Sequence, residues 1–277
     1  MTRVFSAVAL FLWGMGPSLL AQDVSFKNEV MPIFMRGGCN AGDCHGSAQG
    51  KDGFMLSLFG YDPEGDYYRI MEEFPGRRVN LAQPEKSLLL EKASGAVAHT
   101  GGEIFKPESA YYRTLLKWLR AGAPRDAGTA TVIEGIELLP AKMVFETPEE
   151  ERQMTVIAIY SDGSRRDVSD LALYMTDNES IVTIDEQALV KARQPGGSHV
   201  FARFDRFTVG SEVVILPEGE FSWPAPFENN YIDRYVFDKL EKLRMIPSDV
   251  CTDEQFLRRV TIDLIGKLPT PENYAAF

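Results

Sequence analysis

Hydrophobic positions divide the chain into three blocks that differ in period. In the first, about residues 23–126, apolar side chains recur every three or four residues, which predicts helices. Two stripes carry this period: Phe26, Val30, Ile33 and Phe34, and then Tyr112, Leu115, Leu116 and Leu119. Pro32 is expected to kink or delay the first helix because it has no backbone N–H. Gly122 and Pro124 follow the second stripe and predict its C-terminal end.

The second block, about residues 131–217, changes to the period of two that is typical of half-buried strands. The clearest alternation puts four side chains on one face: Met154, Val156, Ala158 and Tyr160. Further short β-rich runs recur about every ten residues with turn signals between them, the pattern of an antiparallel β-sandwich. The proline-rich stretch 217–226 then predicts a linker.

The third block, residues 229–277, returns to a helical period. One apolar face is predicted at Ile232, Val236, Leu240 and Leu243. A capping box at 252–255 begins a second helix, and Thr270 with Pro271 begins a third. So short a block is too small to bury a good core alone, so we expect the chain to be the N-terminal part of a longer polypeptide.

The first residues have the features of a secretory signal peptide, predicted at 1–21. A single charge, Arg3, precedes an apolar run that breaks at Gly14 and ends in small residues. The run is shorter than the ~20 residues that span a bilayer. We therefore expect a periplasmic or secreted protein with no stable membrane span after signal removal.

Composition narrows the classes of partner. The chain has 29 Lys and Arg against 40 Asp and Glu, a net charge of -11, so no nucleic-acid partner is expected. Its 44% of hydrophobic residues is typical of a globular protein. With only three Cys and three His, a disulfide-rich mini-fold and a cysteine-rich zinc protein are disfavoured.

Most of the reactive chemistry lies in one short stretch, where Cys39 and Cys44 are followed directly by His45. Two thiols can form thioethers with the two vinyl groups of a haem, and the adjacent imidazole can then bind the iron. The common spacing has two residues between the cysteines; here there are four, so the small and turn-prone residues 40–43 must loop out. The alternative is a Cys39–Cys44 disulfide in a secreted protein, with His45 as a loop residue.

The stretch GGCNAGDCHG at 37–46 resembles the planctomycete-type cytochrome c domain. Further agreement with that domain lies at 53–60, 76–79, 87–90 and 118–124. The second block resembles a bacterial Ig-like domain of group 2, on residues 160–168 and 182–185. The third resembles the start of an uncharacterised domain often fused to these cytochromes, on residues 257–271.

The resemblance implies a multidomain α+β protein in three parts. They are a small all-α cytochrome c-like domain at 23–126, a β-sandwich Ig-like domain at 131–217, and a helical C-terminal segment at 229–277. It also implies one covalent haem c anchored on Cys39 and Cys44, with His45 as the proximal iron ligand. The expected function is electron transfer with an unidentified redox partner. The β-sandwich would be a spacer or adhesion module that contacts protein or carbohydrate.

The sixth iron ligand and the wider function have open alternatives. His99 lies in a Gly-flanked loop before the last helix of the first block, the usual place of a distal ligand in cytochromes c, and is the favoured candidate. Met55 and an open sixth site are the alternatives. The alternative functions are a haem-free secreted binding or cell-surface protein with the Cys39–Cys44 disulfide, or the N-terminal part of a larger haem-dependent enzyme. Whether the protein is an enzyme stays open.

Two other residues, Cys251 and His199, could suggest chemistry but are expected to have structural roles only. Cys251 is expected to be a free, partly buried thiol at the start of a helix. His199 is expected to begin a strand of the β-sandwich.

Overall fold

The computed structural model describes residues 24–126 and 131–277. The predicted signal peptide, residues 1–21, lies outside the described residues. Within them the chain is a mixed α+β protein, with helices on both sides of a β-rich middle. The helices of the first block are α1 (Met31–Arg36), α2 (Pro63–Met71), α3 (Leu88–Ala93) and α4 (Ala110–Arg120).

The first block forms around its two predicted apolar stripes. A π-helical turn, Phe26–Val30, runs directly into α1, and Pro32 stands in the first turn of α1, where its missing N–H costs nothing. In α4 the side chains of Leu115, Trp118 and Leu119 are almost completely buried. The predicted end of α4 is confirmed, since Gly122 has a φ of 89° that glycine adopts without strain.

One predicted helix is divided. The sequence predicts a single short helix over 85–92, but a 3₁₀ turn at Pro84–Lys86 and α3 are separated by Ser87, whose backbone is extended. The hydroxyl of the buried Ser87 accepts a hydrogen bond from Asn80 N–H at 3.0 Å. That contact with Asn80, outside the helix, holds Ser87 in an extended conformation that a continuous helix would not allow.

Ten strands in the described residues form three sheets that share one hydrophobic core. The sheets have the orders β1-β4-β5, β2-β10-β9-β6 and β3-β8-β7. The strands are β1 (Ile133–Leu139), β2 (Lys142–Phe145), β3 (Glu151–Gln153), β4 (Thr155–Tyr160), β5 (Arg165–Asp167), β6 (Leu173–Thr176), β7 (Val182–Ile184), β8 (Leu189–Ala192), β9 (Gly196–Phe204) and β10 (Phe207–Ile215). The inward face predicted for β4 is confirmed, because Val156, Ala158 and Tyr160 are buried.

The expectation of purely antiparallel pairing is wrong at one pair of strands. β2 runs parallel to β10, with Met143 beside Val213 and Phe145 beside Ile215. The other strand pairs are antiparallel. Alternating burial specifies which face of a strand is covered but not the direction of its neighbour, so the sequence pattern could not distinguish the two arrangements.

The β-rich middle packs directly against the helix that leads into the Cys–His stretch. Met35 of α1 is buried in the hydrophobic core of the sheets. The adjacent Arg36 donates to the carbonyl of Glu186 at 2.7 Å. Arg203 lies over the ring of Phe59, 4.2 Å from its centroid. Met35 and Arg36 thus hold the N-terminal side of the Cys–His stretch against the sheets, and Phe59 holds the chain that follows it.

The third block consists of α5 (Tyr231–Lys242), α6 (Asp253–Ile265) and α7 (Pro271–Ala276), none of which contains a buried side chain. Just after α5, Leu243 packs on Val214 and Leu216 at the end of β10. Of the capping box predicted at 252–255, the Thr252 half is confirmed, since its hydroxyl accepts from Gln255 N–H at 3.3 Å. The expectation that this block buries little agrees with the exposure of its helices.

We expect acid to weaken the attachment of α5 to the sheets through Glu212 of β10. Hydrogen bonds from Lys142 and from Lys239 of α5 lower the pKa of Glu212 from 4.5 to about 2. A lowered pKa stabilises the fold above pH 4.5, and this stabilisation is lost as the pH falls towards 2.

The Glu212→Gln variant should therefore be less stable than the wild type at neutral pH by about 1 kcal/mol, a value reduced because the ion pairs are partly exposed. Urea unfolding of both proteins from pH 7 to pH 2 measures the difference, which should vanish at the acid end. A difference that is constant with pH would contradict this account.

Candidate functional site

The segment from Cys39 to Gly46 is a compact turn closed by its own backbone. His45 N–H donates to Cys39 O at 3.0 Å, and Gly46 N–H donates to Ala41 O at 3.0 Å. A β-carbon at Gly46 would lie 2.0 Å from Asn40 O, so this close approach requires glycine. The residues between the two cysteines therefore loop out while Cys39 and His45 stay adjacent.

A cavity of about 360 Å³ opens beside this turn. Cys39, Cys44, His45 and His99 all line it, so the structure brings the four residues selected from the sequence to one place. Met55 is half-buried and is not among the described residues that line the cavity. The volume is in the range of sites that hold small molecules or cofactors.

The two histidines of the cavity are oriented in the same way. His45 Nδ1 lies 2.9 Å from Phe54 O, and His99 Nδ1 lies 3.1 Å from Gly102 O. A carbonyl oxygen can only accept, so Nδ1 donates in both rings and Nε2 is the ring nitrogen left to bind a metal. Histidines that bind metals usually donate their other ring N–H in this manner. The rings are nearly parallel, with planes 6° apart and centroids 6.2 Å apart.

Burial favours the uncharged forms of His45 and Cys39. Burial lowers the pKa of His45, which favours the uncharged imidazole that can bind a metal. Burial also raises the pKa of Cys39 to about 12, so its thiol stays protonated at neutral pH. All three cysteines, Cys39, Cys44 and Cys251, are unpaired. In the described residues, no three His, Cys, Asp or Glu side chains are grouped to hold a bare metal ion.

Arg78 lines the cavity, and the sequence assigned it no role beyond its place in the stretch 76–79 that agrees with the cytochrome domain. Its side chain is nearly buried, forms an ion pair with Glu73 at 3.0 Å and lies 4.5 Å from the centroid of the Phe54 ring. It also donates to Gly53 O at 3.0 Å. Phe54 in turn packs on His45, with ring centroids 4.8 Å apart.

Charged and apolar side chains divide the rest of the cavity wall. Arg77, Lys51 and Lys92 contribute positive charge, and Asp43 and Asp52 contribute negative charge. The apolar part includes Phe34, Leu56, Leu89 and Ile104. Asp43, Leu56, Arg77 and Leu89 lie in stretches that agree with the cytochrome domain, but only the fold brings them to one cavity.

The other two residues that the sequence singled out lie elsewhere. Cys251 is half-buried just before α6, as expected. His199 is the fourth residue of β9, not its first, and its Nδ1 lies 3.2 Å from Asp177 Oδ2. Neither residue lines the cavity.

A comparison with protein families matches residues 231–277 to the family described as PSCyt2, protein of unknown function (DUF1549). This is the uncharacterised domain that is usually fused to planctomycete cytochromes, so the resemblance stated for the third block is confirmed. The match does not extend to the cavity or to the strands.

A search of curated proteins finds no match. Among solved structures, the S-layer protein rSbsC(31-844) aligns with a TM-score of 0.28 at 11% identity, over 34% of this chain and 14% of that chain. Domains 5-6 of the S-layer protein SbsC align with a TM-score of 0.28 at 12% identity, over 34% of this chain and 49% of that chain. Similarity at this level carries no inference about fold or function.

Throughout the described parts of the chain, every helix is too short or too polar to span a bilayer.

Proposed function

We propose that the protein is an extracytoplasmic electron carrier that binds one covalent haem c in the cavity of Cys39, Cys44, His45 and His99. The observation that carries this proposal is the convergence of two thiols and two imidazoles, each with Nε2 left to bind a metal, on one cavity. Cys39 and Cys44 would hold the macrocycle through thioethers, and His45 and His99 would bind the iron from its two sides.

The spacing of the histidines fits such a group. An imidazole nitrogen lies about 2 Å from the metal it binds and about 1 Å from its own ring centre, so two imidazoles sharing one iron have centroids roughly 6 Å apart. The observed separation is 6.2 Å with nearly parallel rings. A bound haem would bring the other iron ligands itself, so it would need no three-residue cluster from the described part of the chain.

The charged part of the wall suits the carboxylates of a haem. Arg77 and Lys92 line the cavity and could pair with the two propionates. Arg78 is already held by Glu73 and two backbone carbonyls, so it supports Phe54 instead of meeting the ligand. Phe54 and the apolar wall would keep water from the macrocycle.

When bound, the haem would supply one-electron chemistry. With both axial positions taken by protein imidazoles, the iron would have no free site for a substrate, which favours electron transfer over catalysis. The hydrogen bonds from His45 and His99 to backbone carbonyls would orient the two rings and make them stronger donors. The redox partner is unidentified, and the β-sandwich is proposed as a spacer or adhesion module that contacts protein or carbohydrate.

Covalent attachment is tested with protein from a host that performs cytochrome c maturation. Wild-type haem should resist extraction by acidified acetone and give a pyridine haemochrome spectrum. Cys39→Ala and Cys44→Ala should each remove one thioether and shift the haemochrome band, whereas Cys251→Ala, remote from the cavity, should not. Freely extracted haem, or a peptide map that links Cys39 to Cys44 by a disulfide, would overturn the proposal in favour of a haem-free secreted protein.

We expect His99→Ala to change the axial ligation of the iron. The oxidised wild type should show a low-spin spectrum without the near-infrared charge-transfer band of a Met–iron bond, and a lower reduction potential than Met/His ligation produces. His99→Ala should abolish that low-spin spectrum, and Met55→Leu is the matched control that should leave it intact. A Met–iron band in the wild type, or an unchanged spectrum in His99→Ala, would rule out His99 as the ligand.

A further inference from the structure

Asp66 of α2 is a buried carboxylate that the proposed function does not use. Its side chain is completely buried, and Ser57 donates to it twice, from N–H at 2.6 Å and from Oγ–H at 2.5 Å. Arg69 contributes the counter-charge at 3.3 Å. Burying a carboxylate costs free energy unless it is paired and hydrogen-bonded. The two bonds from Ser57 meet this need and, in turn, hold Ser57 in place.

Ser57 ends a short segment, 54–57, that we call the strap because it runs alongside His45. Phe54 O accepts from His45 Nδ1–H at 2.9 Å, and Leu56 N–H donates to His45 O at 2.8 Å. The strap thus contacts both the ring and the backbone of His45.

The strap is fastened at both ends. At its N-terminal end Phe54 exchanges two backbone hydrogen bonds with Lys51, each at 2.9 Å. At its C-terminal end the fastening is the pair of bonds from Ser57 to Asp66. Ser57 Oγ also accepts from Asp62 N–H at 3.0 Å, which ties the strap to the start of α2.

We propose that Asp66 is a positioning residue for His45, acting through Ser57 and the strap to hold Phe54 O against the ring N–H. The inference rests on the proposed function only for the role of His45 as an iron ligand. The chain of contacts from Asp66 through Ser57 to Phe54 O and His45 does not require haem. Asp66 does not line the cavity, so it acts on the ligand and not on the haem.

The test measures solvent exchange of the His45 Nδ1–H by NMR in the full-length protein, a readout that exists with or without haem. Asp66→Ala removes both bonds to Ser57 and should speed this exchange about tenfold. That factor corresponds to losing about one hydrogen bond that protects the ring N–H from solvent. Ser57→Ala removes the hydroxyl bonds to Asp66 and from Asp62 N–H but keeps the backbone bond to Asp66 and the carboxylate charge, so it should speed exchange by a smaller factor. It also carries the test if Asp66→Ala does not fold.

Tyr67→Phe is the matched control on the same helix. It removes the hydrogen bond from Tyr67 Oη to Ala123 O, 2.8 Å long, which fastens α2 to the end of α4 and does not touch the strap. It should lower thermal stability while leaving the His45 exchange rate unchanged. Unchanged exchange in both Asp66→Ala and Ser57→Ala would overturn the proposal, as would equal acceleration in Tyr67→Phe, since that would reduce the effect to general stability.

Haem content, measured separately by the haemochrome spectrum, keeps the two proposals distinguishable. If no variant and no wild type carries haem, the proposed function fails while the order of exchange rates still decides the role of Asp66. If haem is attached but the exchange rates do not follow this order, the role of Asp66 fails and the electron-carrier proposal stands.

Discussion

Replacing Gly46 with alanine is expected to lower the free energy of unfolding by about 3 kcal/mol, the upper part of the range for forcing extra volume into a packed site. A β-carbon there would lie 2.0 Å from Asn40 O and 2.8 Å from Ala41 O, and both atoms belong to the backbone of the turn between the cysteines. Asn40 O accepts from Phe59 N–H and Ala41 O accepts from Gly46 N–H, so neither can move away without breaking a hydrogen bond. Urea unfolding measures the loss, and the yield of covalent haem should fall with it.

Gly42→Ala in the same turn is the control. A β-carbon at Gly42 meets only Leu58 Cδ1 at 3.8 Å, an ordinary contact, so the change in stability should stay within about 0.5 kcal/mol. If both substitutions lower the stability equally, the close approach of the backbone at Gly46 does not explain the loss.

Trp118→Ala should destabilise the helical block by about 4 kcal/mol, because deleting a buried tryptophan loses its apolar burial and leaves a cavity. The side chain is 0% exposed, its ring centroid lies 5.4 Å from that of Phe26, and Nε1–H donates to Pro124 O at 3.0 Å. It thereby connects α4 to the N-terminal helical turn and to the residues just after α4.

Tyr235→Ala serves as the comparison for that deletion, since this aromatic side chain is 70% exposed on α5. It should change stability by less than about 0.5 kcal/mol. Denaturant unfolding of the two variants and the wild type measures the difference in stability. A small loss of stability in Trp118→Ala would show that the helical core does not depend on this residue.

Part of the candidate site could be predicted from the sequence because its members are close neighbours in the chain. Cys39, Cys44 and His45 are brought together by covalent spacing alone, whatever the rest of the fold does. His99 could be selected by type and position, but its approach to His45 depends on how the intervening segment, which contains α2 and α3, folds back. Arg78 lies in a stretch that agrees with the cytochrome domain, but its role comes from contacts with Glu73, Phe54 and Gly53 that only the fold creates.

The same distinction between local and long-range causes applies to the fold. Local periodicity and end signals determined α4, with its stop at Gly122, and the buried face of β4, because each depends on residues within a few positions of one another. The parallel pairing of β2 with β10 was decided by partners far along the chain, and the break at Ser87 by a contact with the backbone of Asn80, outside the helix itself. Burial of Asp66 was decided in the same way, since a charged group is stable inside a protein only where hydrogen-bond donors converge on it. Which donors converge depends on the packing of whole segments, and no local pattern of residues encodes that.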